Sequence, residues 1–269
     1  MDCNVKMPER LENSHKGTFG KILNVSGSDF MTGAAGLSSL SALKIGVGMV
    51  VLCSSLKVIN AISVQTQEVV FAPLTDIINQ LKSATVLLIG CGLSTSNEAN
   101  MIFSKIFESK NNIPTVIDAD GLNILAKSDI KWLPSKLILT PHPKEAARLL
   151  DVELEEVVAD LEFSAKMISK KYNCVTVLKS HNTVVCSENL EIYVNSTGNS
   201  ALAKAGSGDV LAGMIAGLLA QRCEPFEAAK LGVYLHGLAG DLAKNDLTQY
   251  GVLASDLVRY IPIAIKTLL

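Results

Sequence analysis

The sequence predicts an α/β protein: a mostly parallel central sheet with helices on both faces, in three layers α/β/α. Two observations carry this. Short, strongly apolar runs alternate along the chain with longer helix-like stretches, the order of a parallel sheet whose strands are joined by crossover helices. Polar clusters follow the apolar runs repeatedly, after Val25, Ile89, Ile117, Leu139 and Leu178. In such folds ligands bind beyond the carboxyl ends of the strands.

Taken in order, residues 21–25 read as a strand, followed by a Gly/Ser turn and a small-residue helix over 33–45. Residues 49–53 and 68–71 are the next strands. Residues 84–89 form a fully apolar run ending at Gly90, as a strand buried on both faces requires. A helix is predicted over 96–107, strands over 115–117 and 136–139, and one long helix over 152–172. Residues 175–178, 183–186 and 191–194 read as short strands near an edge, and the chain from Asp209 onward as mostly helix. With 269 residues, no low-complexity linker and no internal repeat, residues 1–269 read as a single domain.

Composition excludes several classes of function. Apolar residues make up 48% of the chain, enough for a sizeable core, and the net charge is -2 with Lys and Arg scattered. No basic stripe with interleaved aromatics occurs, which argues against a nucleic-acid partner. The polar, mixed-charge start MDCNVKMPERLENSHK has neither an apolar h-region nor an Arg-rich transit pattern. No apolar run approaches the roughly 20 residues of a membrane span, so a cytoplasmic protein with no membrane partner is expected. Cys3, Cys53, Cys91, Cys174, Cys186 and Cys223 show no metal spacing and read as small buried hydrophobes in a reducing compartment.

Five clusters are candidates for chemistry. In Gly206-Ser207-Gly208-Asp209, small residues let backbone amides approach an anion, and the helix that follows points partial positive charge at it. A Gly-rich turn with Asp209 as helix cap is the plain alternative. The approach through Asn195, Thr197, Gly198 and Asn199 favours a ligand. There is no Walker loop and no dinucleotide fingerprint. Asp118-Ala119-Asp120 ends a strand with two acids, read either as a cap plus a solvated acid or as a carboxylate pair near phosphate and Mg2+. In Thr140-Pro141-His142-Pro143, two prolines hold His142 in a set direction, while Glu145 fits a capping box with Pro143 at the first helical position. His15-Lys16-Gly17 and the Gly27–Ala35 turn form the fourth cluster. The polar hairpin from Lys179 to Thr183 is the last.

Together these stretches resemble the ribokinase-like superfamily and, within it, the ADP/ATP-dependent NAD(P)H-hydrate dehydratases. HKGTFGKILNVSGS, TGAAGLSSLSALKIGVGMV, Gly90-Cys91-Gly92-Leu93, DADGLN, LTPHPKEAARLL, NSTGNSALAKAGSGDVLAG and YLHGLAGDLA carry the likeness, from His15 to about Ala243. Gly121 and Ala205 depart mildly from the family pattern, which has alanine and glycine there.

The resemblance implies repair of NADH and NADPH hydrated across the nicotinamide C5–C6 bond (the S epimer), with ADP or ATP as phosphoryl donor and Mg2+ assisting. It implies Asp209 as the acid that orients the substrate hydroxyl and accepts its proton. It places Ala34 or Ala35, Gly92, His142 and Asp209 at the hydrated dinucleotide, and Lys179, Ser180, His181, Asn182, Thr183, Gly206 and Gly208 at the adenine nucleotide or its phosphate. It further implies a homo-oligomer, tetramers occurring among relatives. Many members carry a fused epimerase domain, for which this length leaves no room. A small-molecule kinase acting on a vitamin or sugar would use Asp209 in the same way. Amide donors and a helix N-terminus favour a carboxylate's charged form, so Asp209 is expected to be a weak base at rest.

Overall fold

The computed structural model describes residues 6–269; Cys3 and the start of the leader reading lie outside the described residues. The elements run β1 (Lys21–Val25), α1 (Thr32–Lys44), β2 (Met49–Ser54), α2 (Leu56–Ser63), β3 (Val70–Pro73), α3 (Ile77–Ser83), β4 (Val86–Ile89), α4 (Asn97–Glu108), β5 (Thr115–Ile117) and α5 (Asp120–Lys127). They continue with β6 (Leu137–Leu139), α6 (Pro143–Leu150), α7 (Leu154–Ala159), α8 (Leu161–Tyr172), β7 (Val175–Leu178), β8 (Val184–Cys186), β9 (Ile192–Val194), α9 (Ser207–Ala220), α10 (Pro225–Gly251) and α11 (Ala254–Lys266).

The sheet has the order β3-β2-β1-β4-β5-β6-β7-β8-β9. The pairs from β3 through β7 are parallel, and β8 and β9 add an antiparallel edge. Alternating strand residues feed two large cores, and Leu52 joins a third, small cluster with Ala35, Val58, Ile62 and Val69. Ile22, Val50, Leu88, Val116 and Val177 pack with α1, α9, α10 and α11. Leu23, Val51, Leu87, Ile117 and Leu178 pack with α3 to α8. The apolar runs lack polar alternation because both of their faces are covered. No helix among the described residues is long and apolar enough to cross a membrane.

The helix anticipated over 152–172 is two helices. Asp160 takes extended dihedrals (φ -149°, ψ 94°) and its side chain caps α8 by accepting from the Phe163 amide at 2.8 Å. The local cap overrides an apolar periodicity that runs on across the break.

The chain winds outward from β1 to β3, then returns to place β4 on the other side of β1. At this reversal the loops after β1 and β4 are tied together, the Gly27 amide donating to the Cys91 carbonyl at 2.8 Å. The ladder continues past the strand ends: Gly90 N–H bonds to Val25 O, Asp118 N–H to Ile89 O, Thr140 N–H to Ile117 O and Lys179 N–H to Pro141 O. Five strand-end segments are thereby set in register along one edge.

Candidate active site

The site is built on those strand ends. Gly90 has φ 121°, and a Cβ there would lie 2.0 Å from the Asp118 carbonyl and 2.6 Å from the Gly121 amide. Gly121 packs its own bare face against Ile89 and Gly90, so this pair lets the β4 and β5 turns touch. Ala119, between the two acids, holds φ 48° and ψ -118° in a turn closed by Gly121 N–H to Asp118 O. That turn sends the acids apart. Asp118 is buried, and Asp120 accepts from the Ser94 amide at 2.8 Å. The side chain of Asp120 makes no cap bond for α5, and Asp118 is not solvated, so the cap-plus-solvated-acid reading is corrected.

Asp118 is the hub. Its Oδ1 accepts from Lys179 Nζ and from the Thr140 hydroxyl, each at 2.7 Å. The Cys91 Sγ is 3.7 Å from its Oδ2. Lys179 Nζ also lies 3.9 Å from Glu145 Oε2. Burial works against the Lys179 charge, but Asp118 and Glu145 outweigh it and raise its pKa. Glu145 is itself raised to about 6, mainly by burial, with Lys179 opposing.

His142 caps α6: its Nδ1 accepts from the Lys144 and Glu145 amides, and its own amide donates to Glu145 Oε2 at 2.8 Å. The capping-box reading of Glu145 and the fixed direction of His142 therefore hold together. Burial and then the Lys179 charge lower the His142 pKa; with Nδ1 accepting, the neutral ring carries its proton on Nε2, 3.3 Å from Glu145 Oε1.

Asp209 lies in the first turn of α9, across from Asp118. Donor atoms of Cys91, Asp118 and Asp209 lie within 4.8 Å of one another. Burial, and next the Asp118 charge, push the Asp209 carboxyl up to about 6. The expectation of a weak base is thus overturned, because desolvation and a like charge outweigh the helix N-terminus. The Cys91 thiol is driven well above its ordinary value by burial and by both acids. It stays an S–H donor between them.

Beside these acids opens a cavity of about 700 Å³. Its walls include His142, Lys179, Ser180, His181 and Thr183, the segment from Asn195 to Ser200, Ser207 and Gly208 of α9, and His236 and Gly237 of α10. Asn195, Thr197, Gly198 and Asn199 are there as the sequence anticipated, held by one another and by Asp241.

Other predicted positions fall differently. Asn182 is exposed at the hairpin tip and off the cavity wall. Gly206, in the left-handed region at φ 91°, turns its bare face to Leu37 and Ala254 and serves the bend rather than the wall. Ala34 meets Gly92 and Met31 beside the β4 turn, whereas Ala35 is fully buried against Leu52, Val58 and Ile62. Of that alanine pair only Ala34 is left for a ligand. His15 caps the turn Lys16–Phe19, next to Gly48 before β2, at the opposite end of the sheet.

Sequence reasoning missed the contacts of Cys91 and His236. Cys91 stood between two glycines at a strand end, the one signal available. His236 stood in YLHGLAGDLA without an assigned role.

Of this group the thiol does not suit Mg2+ and the Asp118 carboxylate is already paired with Lys179, so Asp209 is the carboxylate left for an ion that comes with a nucleotide's phosphates.

The model of the NAD(P)H-hydrate dehydratase family matches residues 22–263. The chain belongs to that family. It is 39% identical to the ADP-dependent (S)-NAD(P)H-hydrate dehydratase of Neisseria meningitidis, over 92% of this chain and 86% of that one. It superposes with a TM-score of 0.88 on the ADP/ATP-dependent NAD(P)H-hydrate dehydratase of Bacillus subtilis co-crystallised with ATP/Mg2+, at 31% identity, covering 99% of this chain and 100% of that one. A ribokinase-like superfamily protein of Enterococcus faecalis matches at 28% identity with a TM-score of 0.88, covering 98% and 92%. The fold is therefore the ribokinase-like α/β/α sandwich. The chain spans about half the length (53%) of the first curated relatives it matches, which are bifunctional NAD(P)H-hydrate repair enzymes.

Proposed function

We propose that this chain dehydrates the S epimer of hydrated NADH and NADPH, with ADP or ATP as phosphoryl donor. Family membership supports the substrate class. The observation that carries the chemistry is Asp209: an acid of raised proton affinity in the first turn of α9, facing Asp118 and Cys91 and following Gly208, which lines the cavity although Asp209 itself does not.

A volume of about 700 Å³ suits one nucleotide. In this reading the nucleotide lies against Lys179, Ser180, His181 and Thr183, with its terminal phosphate at Gly208 and the start of α9. The hydrated nicotinamide lies against Ala34, Gly92 and His142. Phosphoryl transfer needs positioning and charge neutralisation more than covalent help from the protein. The amides at the start of α9 and the Lys179 ammonium, which is shared with Asp118, would face the phosphate, and Mg2+ bound with the nucleotide would neutralise further phosphate charge.

The C6 hydroxyl oxygen attacks the terminal phosphorus, the bond to the departing nucleotide breaks, and the hydroxyl proton passes to Asp209. The C6–O bond then breaks as the ring nitrogen pushes its lone pair inward. Phosphate leaves, the C5 proton passes to water, and the electrons of the C5–H bond restore the C5–C6 double bond.

The test is direct. Purified chain with hydrated NADH, Mg2+ and ADP or ATP should regain NADH absorbance and release free phosphate in equal amount. A kinase of the same fold would leave a stable phosphorylated product instead. No absorbance change with either donor would sink the proposal.

A further inference from the structure

At the cavity wall, Ser207 presents a hydroxyl whose hydrogen-bond direction can be deduced. Ser207 is the first residue of α9 and is 6% exposed. His236, on α10 and also buried, sets its Nε2 3.0 Å from the Ser207 backbone carbonyl and 3.2 Å from the Ser207 hydroxyl oxygen. A carbonyl oxygen only accepts, so Nε2 carries the proton. Burial holds the ring neutral, lowering its pKa to about 4. The same N–H lies toward both oxygens, and the Ser207 hydroxyl therefore accepts from His236. Its own proton is left to point elsewhere. Among the described residues it meets no protein acceptor, and the wall that Ser207 shares with Gly208 faces the cavity.

The backbone donors of this bend can be counted too. The Ser207 amide is taken by the Lys204 carbonyl and the Val210 amide by the Gly206 carbonyl. That leaves the amides of Gly208 and Asp209 as the open donors of α9. Lys179 Nζ lies on the same side, 3.4 Å from where a Cβ on Gly208 would be. A hydroxyl aimed outward beside two open amides and an ammonium group is suited to an anion with several oxygens.

We propose that Ser207 is a catalytic residue of the transfer step: its hydroxyl donates to a non-bridging oxygen of the phosphoryl group in flight, and His236 is the positioning residue that fixes this donor direction. The proposal rests on the phosphoryl-transfer reading above and adds to it a named donor and its support.

Removing one preorganised donor to developing charge typically costs about 10²–10³ in rate. Ser207→Ala should lower kcat at least tenfold while nucleotide affinity changes less than about threefold. Ser207→Thr, which keeps the hydroxyl, should recover most of the rate. His236→Ala should lower kcat in the same sense, and His236→Gln, which keeps a donor, should recover part of it. Equal losses in Ser207→Ala and Ser207→Thr, or an unchanged kcat in Ser207→Ala, would overturn the proposal.

A second measurement separates this proposal from the choice of substrate. Aluminium fluoride with Mg2+ and either ADP or AMP mimics the phosphoryl group between donor and acceptor. Calorimetry should show it binding at least tenfold more weakly to Ser207→Ala than to the wild type, with the nucleotide alone binding equally. Equal trapping by both proteins would refute the role of Ser207 even if hydrated NADH proved to be a substrate. Weaker trapping in a protein that leaves hydrated NADH untouched would keep Ser207 and discard the substrate.

Discussion

At the residue scale the proposed chemistry turns on one acid whose environment works against its charge. Burial and the Asp118 carboxylate both favour the protonated form of Asp209, and the Lys179 ammonium opposes them only in part. An Asp held near 6 is a better proton acceptor than a solvated one and is still mostly ionised at neutral pH. Below about 6 Asp209 is protonated and cannot accept the hydroxyl proton. The rate at limiting substrate should therefore fall about tenfold per pH unit on the acid side and level off above about 7. Asp209→Asn should bind nucleotide normally and lose turnover by several orders of magnitude, as loss of a group acting in the transition state does. A pH–rate profile and calorimetry on both proteins check this. A mutant with near wild-type turnover, or a profile flat to pH 5, would remove Asp209 from the role.

At the element scale, α9 carries both Asp209 and the bend before it, and its position is set by close approach to α1. A Cβ on Gly213 would lie 2.1 Å from the Ser41 hydroxyl and 2.2 Å from the Ser38 carbonyl. The helices thus touch backbone to backbone, with Ala42 and Gly217 continuing the seam. Gly213→Ala should force them apart and cost about 1–3 kcal/mol, the range for overpacking a filled core. Urea denaturation should give a lower midpoint with an unchanged slope; an unchanged midpoint would mean that the seam has slack. Strands and turns of this layer were legible in the sequence because a strand buried on both faces must be apolar throughout and must end at glycine or a polar residue. Residues 21–25, 115–117 and 175–178 fall where they were read. The break at Asp160 was not legible, since the periodicity of 152–172 suits one helix as well as two and only the cap geometry decides. The Lys179–Asp118 pair was hidden for a different reason. Its members are 61 residues apart and meet only because β5 and β7 both flank β6, which sequence order alone does not reveal. The Asp118 charge that helps to raise Asp209 likewise comes from an element distant in the chain, whereas the helix N-terminus that would lower it is local and was read first.

At the scale of the whole molecule, the cavity is a junction. Its walls come from the hairpin between β7 and β8, the Asn195–Ser200 segment, the start of α9 and the middle of α10. The antiparallel edge and the final helices are thus held together through the site as well as through the core. A ligand that fills the cavity touches all four segments at once and binds only the folded chain. Its free energy adds to stability as RT ln(1 + [L]/Kd), about 2.7 kcal/mol at a hundredfold excess over Kd. At roughly 2–4 °C per kcal/mol for a chain of this size class, saturating ADP or ATP with Mg2+ should raise the melting temperature by about 5–10 °C. Asp209→Asn should show nearly the same rise, because its acid acts in transfer and not in holding the nucleotide. Differential scanning fluorimetry with an adenine nucleotide and with a non-nucleotide phosphate as control measures both. A rise in neither protein would mean that the junction beside α9 is not where the nucleotide binds. A rise in the wild type alone would move Asp209 from the reacting group to the nucleotide's own grip.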